Sequence, residues 1–126
     1  MKIEDCRVAI ADDEAMIRYA LKSVIKGLNM NCVGEATNGQ EAVALYEKEK
    51  PDIMFLDINM PVKNGDEALG DIHAKFPNAN IVMLTSVAET ETVKKCLLGG
   101  AVSYILKTNP LDKIKIMIEK IVQALD

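Results

Sequence analysis

The stretch Met54–Gly65, MFLDINMPVKNG, decides how the rest of the chain is interpreted. It begins as an uninterrupted apolar run, which is typical of a strand that is covered on both faces. The run ends on one carboxylate, Asp57, and Pro61 and the pair Asn64-Gly65 then favour a tight turn. This pattern predicts a rigid strand that holds an acidic side chain at the rim of a sheet.

Four further β-rich runs alternate with segments of helical apolar spacing. These runs are RVAIADD, NCVGEA, NIVMLTS and AVSYILK. The helical stripes include Met16 in the first helix and Leu97 in the fourth, and Pro51, Pro77 and Gly99-Gly100 end three of the helices. Five successive βα units predict a doubly wound α/β fold, with a five-stranded parallel sheet, helices on both faces and right-handed crossovers.

Length and composition predict one soluble domain over residues 1–126. A net charge of −4 argues against direct nucleic-acid binding. Three cysteines and the single histidine, His73, do not have the spacing of a disulfide framework or a zinc site, so we expect a reducing cytoplasm. No run is long enough to span a membrane, no signal-peptide core is present, and His73 is expected on the surface of a helix.

Polar side chains follow four of the predicted strands at the point where each strand ends. Strand one ends in Asp12-Asp13, strand three in Asp57, strand four in Thr85-Ser86 and strand five in Lys107. Ligands of an open α/β sheet bind outside the carboxyl ends of its strands. We therefore expect these carboxylates, the hydroxyl and the ammonium to converge on one rim.

Clustered carboxylates need a cation, since two like charges 4 Å apart repel by roughly 1 kcal/mol in water and about 4 kcal/mol at an intermediate dielectric. Lys107 supplies one positive charge, and a hard divalent ion would supply two more. Oxygen ligands without a nearby His or Cys favour Mg²⁺. The hypothesis is a Mg²⁺-assisted phosphoryl site, with Asp57 as nucleophile, Thr85 and Lys107 on the phosphoryl oxygens, and the Asn59 carbonyl as a metal ligand.

Each of these residues taken singly also has an ordinary structural interpretation. Asp12-Asp13 would cap a following helix well. Thr85 could be a strand-end hydroxyl, Lys107 a solvated charge and Tyr104 a half-buried strand aromatic. The functional interpretation rests on their occurrence together and in order, each at the end of a strand.

The segments ADDE, FLDINMPVKNG, MLTS and SYILK together resemble the receiver domain of two-component response regulators, over essentially the whole chain. The resemblance implies the flavodoxin-like strand order 2-1-3-4-5 and makes Asp57 the phosphoacceptor. It implies that Asp13, Asp57 and the backbone carbonyl of Asn59 hold Mg²⁺, with Asp12 acting through water.

The same resemblance implies a switch and a partner. A sensor histidine kinase would supply the phosphoryl group, and Thr85 and Lys107 would bind it. Thr85 would then move toward it and Tyr104 would change rotamer, which alters the face made by the fourth helix, the fifth strand and the fifth helix. The only chemistry implied is self-catalysed phosphorylation and dephosphorylation, so the chain is not expected to be an enzyme in the usual sense.

One position departs from the family pattern. Most receivers carry a proline directly after the lysine, whereas Thr108 follows Lys107 here, so we expect a trans peptide. The segment LKTNPLDKI is similar to regulators related to the nitrate-response transcription factors, which carry a C-terminal DNA-binding domain. None lies within these 126 residues, and the sequence leaves open an effector domain and a homodimer formed on phosphorylation.

Two other functions would use some of the same residues. A haloacid-dehalogenase-like phosphohydrolase also forms an aspartyl phosphate, but it needs a second acid two residues after the nucleophile, where this chain has Asn59. A phosphorylation-independent interaction module would not need Asp13, Asp57, Thr85 and Lys107 to be intact.

Overall fold

The computed structural model describes residues 1–88 and 90–125. Five strands alternate with five helices, after a short 3₁₀ turn at Ile3–Asp5. The strands are β1 Arg7–Ala11, β2 Asn31–Ala36, β3 Ile53–Asp57, β4 Ile81–Thr85 and β5 Ser103–Leu106. The helices are α1 Ala15–Gly27, α2 Gly39–Glu49, α3 Gly65–Lys75, α4 Glu91–Leu98 and α5 Leu111–Ala124.

All five strands are parallel and lie in the order β2-β1-β3-β4-β5, which confirms the predicted topology. β3 and β4 are buried along their whole length because helices cover both of their faces. Asp57 pairs with Leu84 in the register of these two strands, so Thr85 lies one residue beyond it on the neighbouring strand. The order of the strands thus brings the ends of β1, β3, β4 and β5 to one edge.

Two apolar layers sandwich the sheet. Alternate strand residues point to opposite faces, so Met54 and Leu56 of β3 join one layer while Ile53 and Phe55 join the other. α2, α3 and α4 pack on the first face, and α1 and α5 pack on the second. Three of the residues predicted in the helical stripes do not join these layers: the exposed fraction is 82% for Met16, 39% for Leu97 and 46% for Leu111 of the last helix.

The helix starts use side-chain caps at two positions. Asn38 accepts a hydrogen bond from the Glu41 amide at 2.8 Å, and Thr90 accepts one from the Val93 amide at 3.1 Å. Asp12 and Asp13 do not cap α1, because the residue before the helix is Glu14. The capping interpretation of this acid pair was therefore wrong, and both carboxylates lie at the sheet edge without capping α1.

Three further sequence expectations can be compared with the structure. No peptide bond in the described residues is cis, so the Lys107–Thr108 bond is trans as expected. His73 lies on α3 but is half-buried rather than on the surface, with its ring nitrogens 3.1 Å from the carbonyl oxygens of Gly99 and Ala79. Among the described residues, no helix has both the length and the apolar character needed to cross a membrane.

Candidate functional site

The structure brings the three predicted carboxylates together at the carboxyl edge of the sheet. One carboxylate oxygen from each of Asp12, Asp13 and Asp57 lies within 4.8 Å of the others. Asp12 is fully buried at the end of β1, Asp57 is 3% exposed at the end of β3, and Asp13 is exposed. The group is an open pocket with two acids in its floor and one at its rim.

Among the described residues, Lys107 supplies the only cation in contact with the two carboxylates of this floor. Its ammonium nitrogen lies 2.8 Å from Oδ2 of Asp12 and 3.0 Å from Oδ1 of Asp57, and its side chain is only 6% exposed. The backbone amide of Lys107 also donates to the Thr85 carbonyl, which ties the chain after β5 to β4. The interpretation of Lys107 as a solvated charge is therefore wrong.

One ammonium does not neutralise three carboxylates, and the ionisation of the site reflects this. The pKa of Asp57 is raised from 3.8 to about 6, chiefly by burial and also by the Asp12 charge, although the contact with Lys107 opposes both. Burial also lowers the pKa of Lys107, but its contacts with Asp12 and Asp57 outweigh burial and raise that pKa overall. Lys107 therefore stays charged while Asp57 is held in an unfavourable ionised state.

The loop after Asp57 is as tight as the proline and glycine signals predicted. A Cβ atom at Gly65 would lie 2.0 Å from the Asp57 carbonyl oxygen, so no side chain fits where α3 begins. The Lys63 amide donates to the Pro61 carbonyl at 2.7 Å across Val62, whose φ is +68°. This three-residue turn is the rare γ-turn with positive φ, which is strained for a β-branched residue.

Neither Thr85 nor Tyr104 forms a hydrogen bond with the carboxylates of the pocket within the described residues. The Thr85 hydroxyl donates to the Val87 carbonyl at 2.9 Å and accepts from the Val87 amide at 3.2 Å, so its own loop holds it. Tyr104 is half-buried on β5 and packs against the layer formed by α2, α3 and α4. In the sheet register, Thr85 lies one residue beyond the partner of Asp57, whereas Tyr104 pairs with Met83, further from the ends of the strands.

The donor set of the pocket fits a hard divalent cation. Oδ2 of Asp12 is buried and has no hydrogen-bond partner of normal geometry, although the Lys107 ammonium lies nearby. Within residues 1–88 and 90–125, neither the Asp13 carboxylate nor the Asn59 carbonyl takes part in a hydrogen bond or an ion pair. These unsatisfied oxygens are the ligand type that Mg²⁺ prefers.

Two polar residues next to the acid pair were not identified from the sequence. The Glu14 carboxylate lies 3.5 Å from the Lys107 ammonium, and the Arg18 guanidinium donates to the Asp12 carbonyl at 2.7 Å. Arg18 is also paired with Glu35 of β2. One signal was available: Glu35 is an acid within the strand NCVGEA, and an acid in a strand invites a search for a cation on the neighbouring helix.

Comparison with known proteins places this geometry in a family. The model of the response regulator receiver domain matches residues 8–119. The chemotaxis protein CheY of Listeria monocytogenes is 37% identical over 114 residues, which cover 90% of this chain and 96% of that protein.

Solved structures agree with the family match. The response regulator domain of Thermotoga maritima CheB has a TM-score of 0.87 at 35% identity, with 96% of each chain covered. CheY in the CheX-CheY-BeF3-Mg complex of Borrelia burgdorferi has a TM-score of 0.84 at 29% identity, over 91% of this chain and 89% of that one. Receiver domains of NarL-type and LuxR-type regulators share the fold. The chain therefore belongs to the receiver domains of two-component response regulators, which are phosphoacceptor signalling domains that work with histidine kinases and effector domains.

Proposed function

We propose that Asp57 is the phosphoacceptor and that a sensor histidine kinase supplies the phosphoryl group. The observation that carries the proposal is the position of Asp57: it is a buried carboxylate at the end of a rigid central strand, next to two further acids and 3.0 Å from a buried ammonium. Asp12 also contacts the Lys107 ammonium, but it is fully buried and its other carboxylate oxygen accepts from the Glu14 amide. Asp57 therefore remains the better candidate nucleophile.

The transfer is balanced without a general base on this chain. A carboxylate oxygen of Asp57 forms a bond to phosphorus as the bond between phosphorus and the kinase imidazole nitrogen breaks. The attacking carboxylate carries no proton to lose, and the kinase histidine leaves as a neutral imidazole once it has gained a proton. Because the transition state is loose, positioning and charge supply most of the catalysis. Attack of water on the phosphorus later returns Asp57 and inorganic phosphate.

The residues proposed to hold Mg²⁺ are Asp13, Asp57 and the Asn59 carbonyl, with Asp12 acting through water. The unsatisfied oxygens described above support this assignment. When bound, the ion offsets the charge of the incoming phosphoryl group and orients its oxygens. The related CheY of Borrelia burgdorferi was crystallised in a complex that contains Mg²⁺ and BeF3.

The proposed switch uses Thr85, Lys107 and Tyr104. A phosphoryl group on Asp57 brings nearly two negative charges and three acceptor oxygens to the pocket. Lys107 stays beside Asp57 and pairs with the new oxygens. Thr85 exchanges its bonds with Val87 for a bond to the phosphoryl group, and Tyr104 moves into the space that this opens. The surface of α4, β5 and α5 then changes shape, through a shift between two conformations.

The proposed setting is the cytoplasm, with residues 1–126 acting as one receiver domain. The altered surface would control an effector domain or a separate partner, or would pair with a second copy of the chain. The domain itself is proposed not to bind nucleic acid, in keeping with its net charge of −4. The similarity to regulators related to the nitrate-response factors favours a DNA-binding effector.

Intact mass spectrometry after incubation with acetyl phosphate tests the proposal. We expect the mass of one phosphoryl group to be added to the wild type when Mg²⁺ is present, and not when it is replaced by EDTA. Asp57→Asn should remain unlabelled. Failure of the wild type to gain mass, or equal labelling of the variant, would remove Asp57 as the acceptor. Rapid turnover of a small phosphate ester would instead revive the phosphohydrolase, which the amide at Asn59 disfavours.

A further inference from the structure

Three of the four polar atoms of Asp12 take part in hydrogen bonds, and the fourth, Oδ2, has only an ion contact with Lys107. The Asp12 amide donates to the Ala36 carbonyl at 3.0 Å, and Oδ1 accepts from the Glu14 amide at 2.8 Å. Oδ2 contacts the Lys107 ammonium at 2.8 Å. The remaining atom, the carbonyl oxygen, accepts from the Arg18 guanidinium at 2.7 Å. Arg18 is the one side chain among these partners that lies outside the acidic pocket.

Arg18 is itself held in place from the opposite side. Its Nε atom donates to Oε1 of Glu35 at 3.0 Å, while Oε2 of Glu35 accepts from the Lys22 ammonium at 2.9 Å. These bonds lower the pKa of Glu35, the larger part coming from Lys22. The planar guanidinium thus uses two nitrogens at once, one on β2 and one on the loop between β1 and α1. Its side chain is 17% exposed, so water competes little for these bonds.

The hydrogen bond from Arg18 to the Asp12 carbonyl also restricts the orientation of Asp13. The Asp12 carbonyl and the Asp13 amide belong to the same planar peptide unit. Fixing the carbonyl direction therefore fixes the plane from which the Asp13 side chain leaves the backbone. The Asp13 carboxylate itself forms no hydrogen bond or ion pair within the described residues, so its own side chain does not orient it.

We propose that Arg18, held by Glu35, is a positioning residue that orients the Asp12–Asp13 peptide, so that Asp13 can ligate Mg²⁺. The inference rests on the proposed function, because it presupposes a metal site at Asp13 and Asp57. It adds a residue whose charge has the wrong sign for such a site. A cation beside a cation site weakens metal binding by repulsion. Arg18 therefore favours metal binding only by orienting the peptide, and its positive charge opposes that binding.

The charge of Arg18 and its positioning role change the Mg²⁺ affinity in opposite directions, so substitutions at Arg18 can distinguish them. If Arg18 acted only through its charge, Arg18→Gln would tighten Mg²⁺ binding, and Arg18→Lys would leave it unchanged. If Arg18 positions the peptide, both variants weaken binding, because neither side chain can bond to the Asp12 carbonyl and to Glu35 in the same planar geometry. Residues that orient metal ligands in this way typically contribute 10- to 100-fold in affinity, and we expect about 10-fold for this partly exposed arginine.

The experiment is calorimetric titration of the unphosphorylated full chain with Mg²⁺, at a temperature where urea unfolding shows each variant to be fully folded. Lys22→Gln is the matched control, since Lys22 shares Glu35 with Arg18 but does not touch Asp12. Its affinity should stay within about twofold of the wild type, because exposed charges are screened at physiological ionic strength. Glu35→Gln should weaken binding by less than Arg18→Gln, since it loosens the guanidinium without removing it.

Each outcome has a definite meaning. Weaker binding by both Arg18 variants, with Lys22→Gln unchanged, supports the proposal. Unchanged or tighter binding by Arg18→Gln overturns it, and so does equal weakening by Lys22→Gln. A wild type that binds no Mg²⁺ would instead refute the proposed metal site itself. Should Arg18→Gln fail to fold, Arg18→Lys and Glu35→Gln carry the same test.

Discussion

An aspartate lies at each end of β3, and the two carboxylates differ in how well their surroundings supply hydrogen-bond donors and positive charge. At the amino end, Asp52 accepts from the Arg7 amide at 2.8 Å, and the Arg7 guanidinium bonds to the carbonyl and carboxylate of Glu49. At the carboxyl end, Asp57 shares one ammonium with Asp12, while Asp13 has no partner in the described structure. At the first end each carboxylate has a hydrogen-bond donor of its own, whereas at the second end one ammonium serves two carboxylates and a third has no partner among the described residues.

The difference separates a structural use of acids from a functional one. Asp52 joins β3 to β1 through a hydrogen bond that a folded chain needs in any state. The carboxyl end instead keeps an excess of negative charge, a pKa of about 6 at Asp57, and a strained turn at Val62. Unfavourable charge and backbone strain of this kind persist only where the surrounding fold enforces them. They are typical of sites where a bound ligand relieves them. Each prediction below changes one end of this comparison.

The largest expected effect comes from removing the ammonium at the carboxyl end. Lys107→Met leaves two buried carboxylates without their counter-ion, and we expect it to lower the free energy of unfolding by about 3–5 kcal/mol at neutral pH. The loss should shrink as the pH falls, because the carboxylates can then take up protons. Urea unfolding in EDTA measures it. A loss below about 1 kcal/mol would mean that Lys107 does not hold the acids together.

Asp57→Asn should have the opposite sign. The folded protein binds the Asp57 proton more tightly than the unfolded chain, so this group lowers stability as the pH rises from 3.8 toward about 6, and the loss is complete above that range. Asparagine removes the charge while Lys107 keeps Asp12. We expect a gain on the order of 1–3 kcal/mol at neutral pH in EDTA. The gain should vanish at the acid end of the same window, and a uniform gain at all pH values would contradict the assignment.

Val62→Gly tests the strain in the loop after Asp57. Val62 is 75% exposed, so the substitution removes little packing, while glycine adopts a φ of +68° without steric cost. Relief of strain should exceed the extra entropy of the unfolded glycine, for a net gain of about 1 kcal/mol by urea unfolding. Gly100→Ala is the reverse control. Its φ is +110° and a Cβ would lie 2.4 Å from the His73 ring, so it must destabilise.

The smallest effect is expected at the satisfied end of β3. Asp52→Asn makes the same chemical change as Asp57→Asn, yet its amide oxygen can still accept from the Arg7 backbone amide. We expect the free energy of unfolding to change by no more than about 0.5 kcal/mol, measured as for Asp57→Asn. A gain as large as that of Asp57→Asn would show that the two ends do not differ.

The sequence predicted the fold because its signals are local. Alternation of apolar runs, with proline and glycine between them, located all five strands, and NCVGEA matches β2 from Asn31 to Ala36. Met16 was wrongly predicted to be buried, because helical spacing indicates the direction of the apolar face but not how wide that face is. It lies about 100° around α1 from Ile17, outside the buried face.

The sequence predicts which residues form the site, but not which hydrogen bonds and ion pairs they make with one another. The carboxyl ends of parallel strands meet at one edge of the sheet whatever side chains they carry, so the sequence alone groups Asp12, Asp13, Asp57 and Lys107. The burial of Lys107 and the bond from Arg18 to the Asp12 carbonyl depend on how α1 and α5 seat against the sheet. Spacing along the chain does not contain that information.

The most direct test of the account is the effect of Mg²⁺ on stability. If the carboxyl end is unsatisfied because a divalent cation belongs there, Mg²⁺ should raise the free energy of unfolding of the wild type, measured in urea, by about 2.7 kcal/mol when its concentration is 100 times the dissociation constant. Asp13→Asn, which alters an exposed carboxylate without partners, should lose most of that increase. No increase in the wild type, or an equal increase in Asp13→Asn, would contradict the central claim.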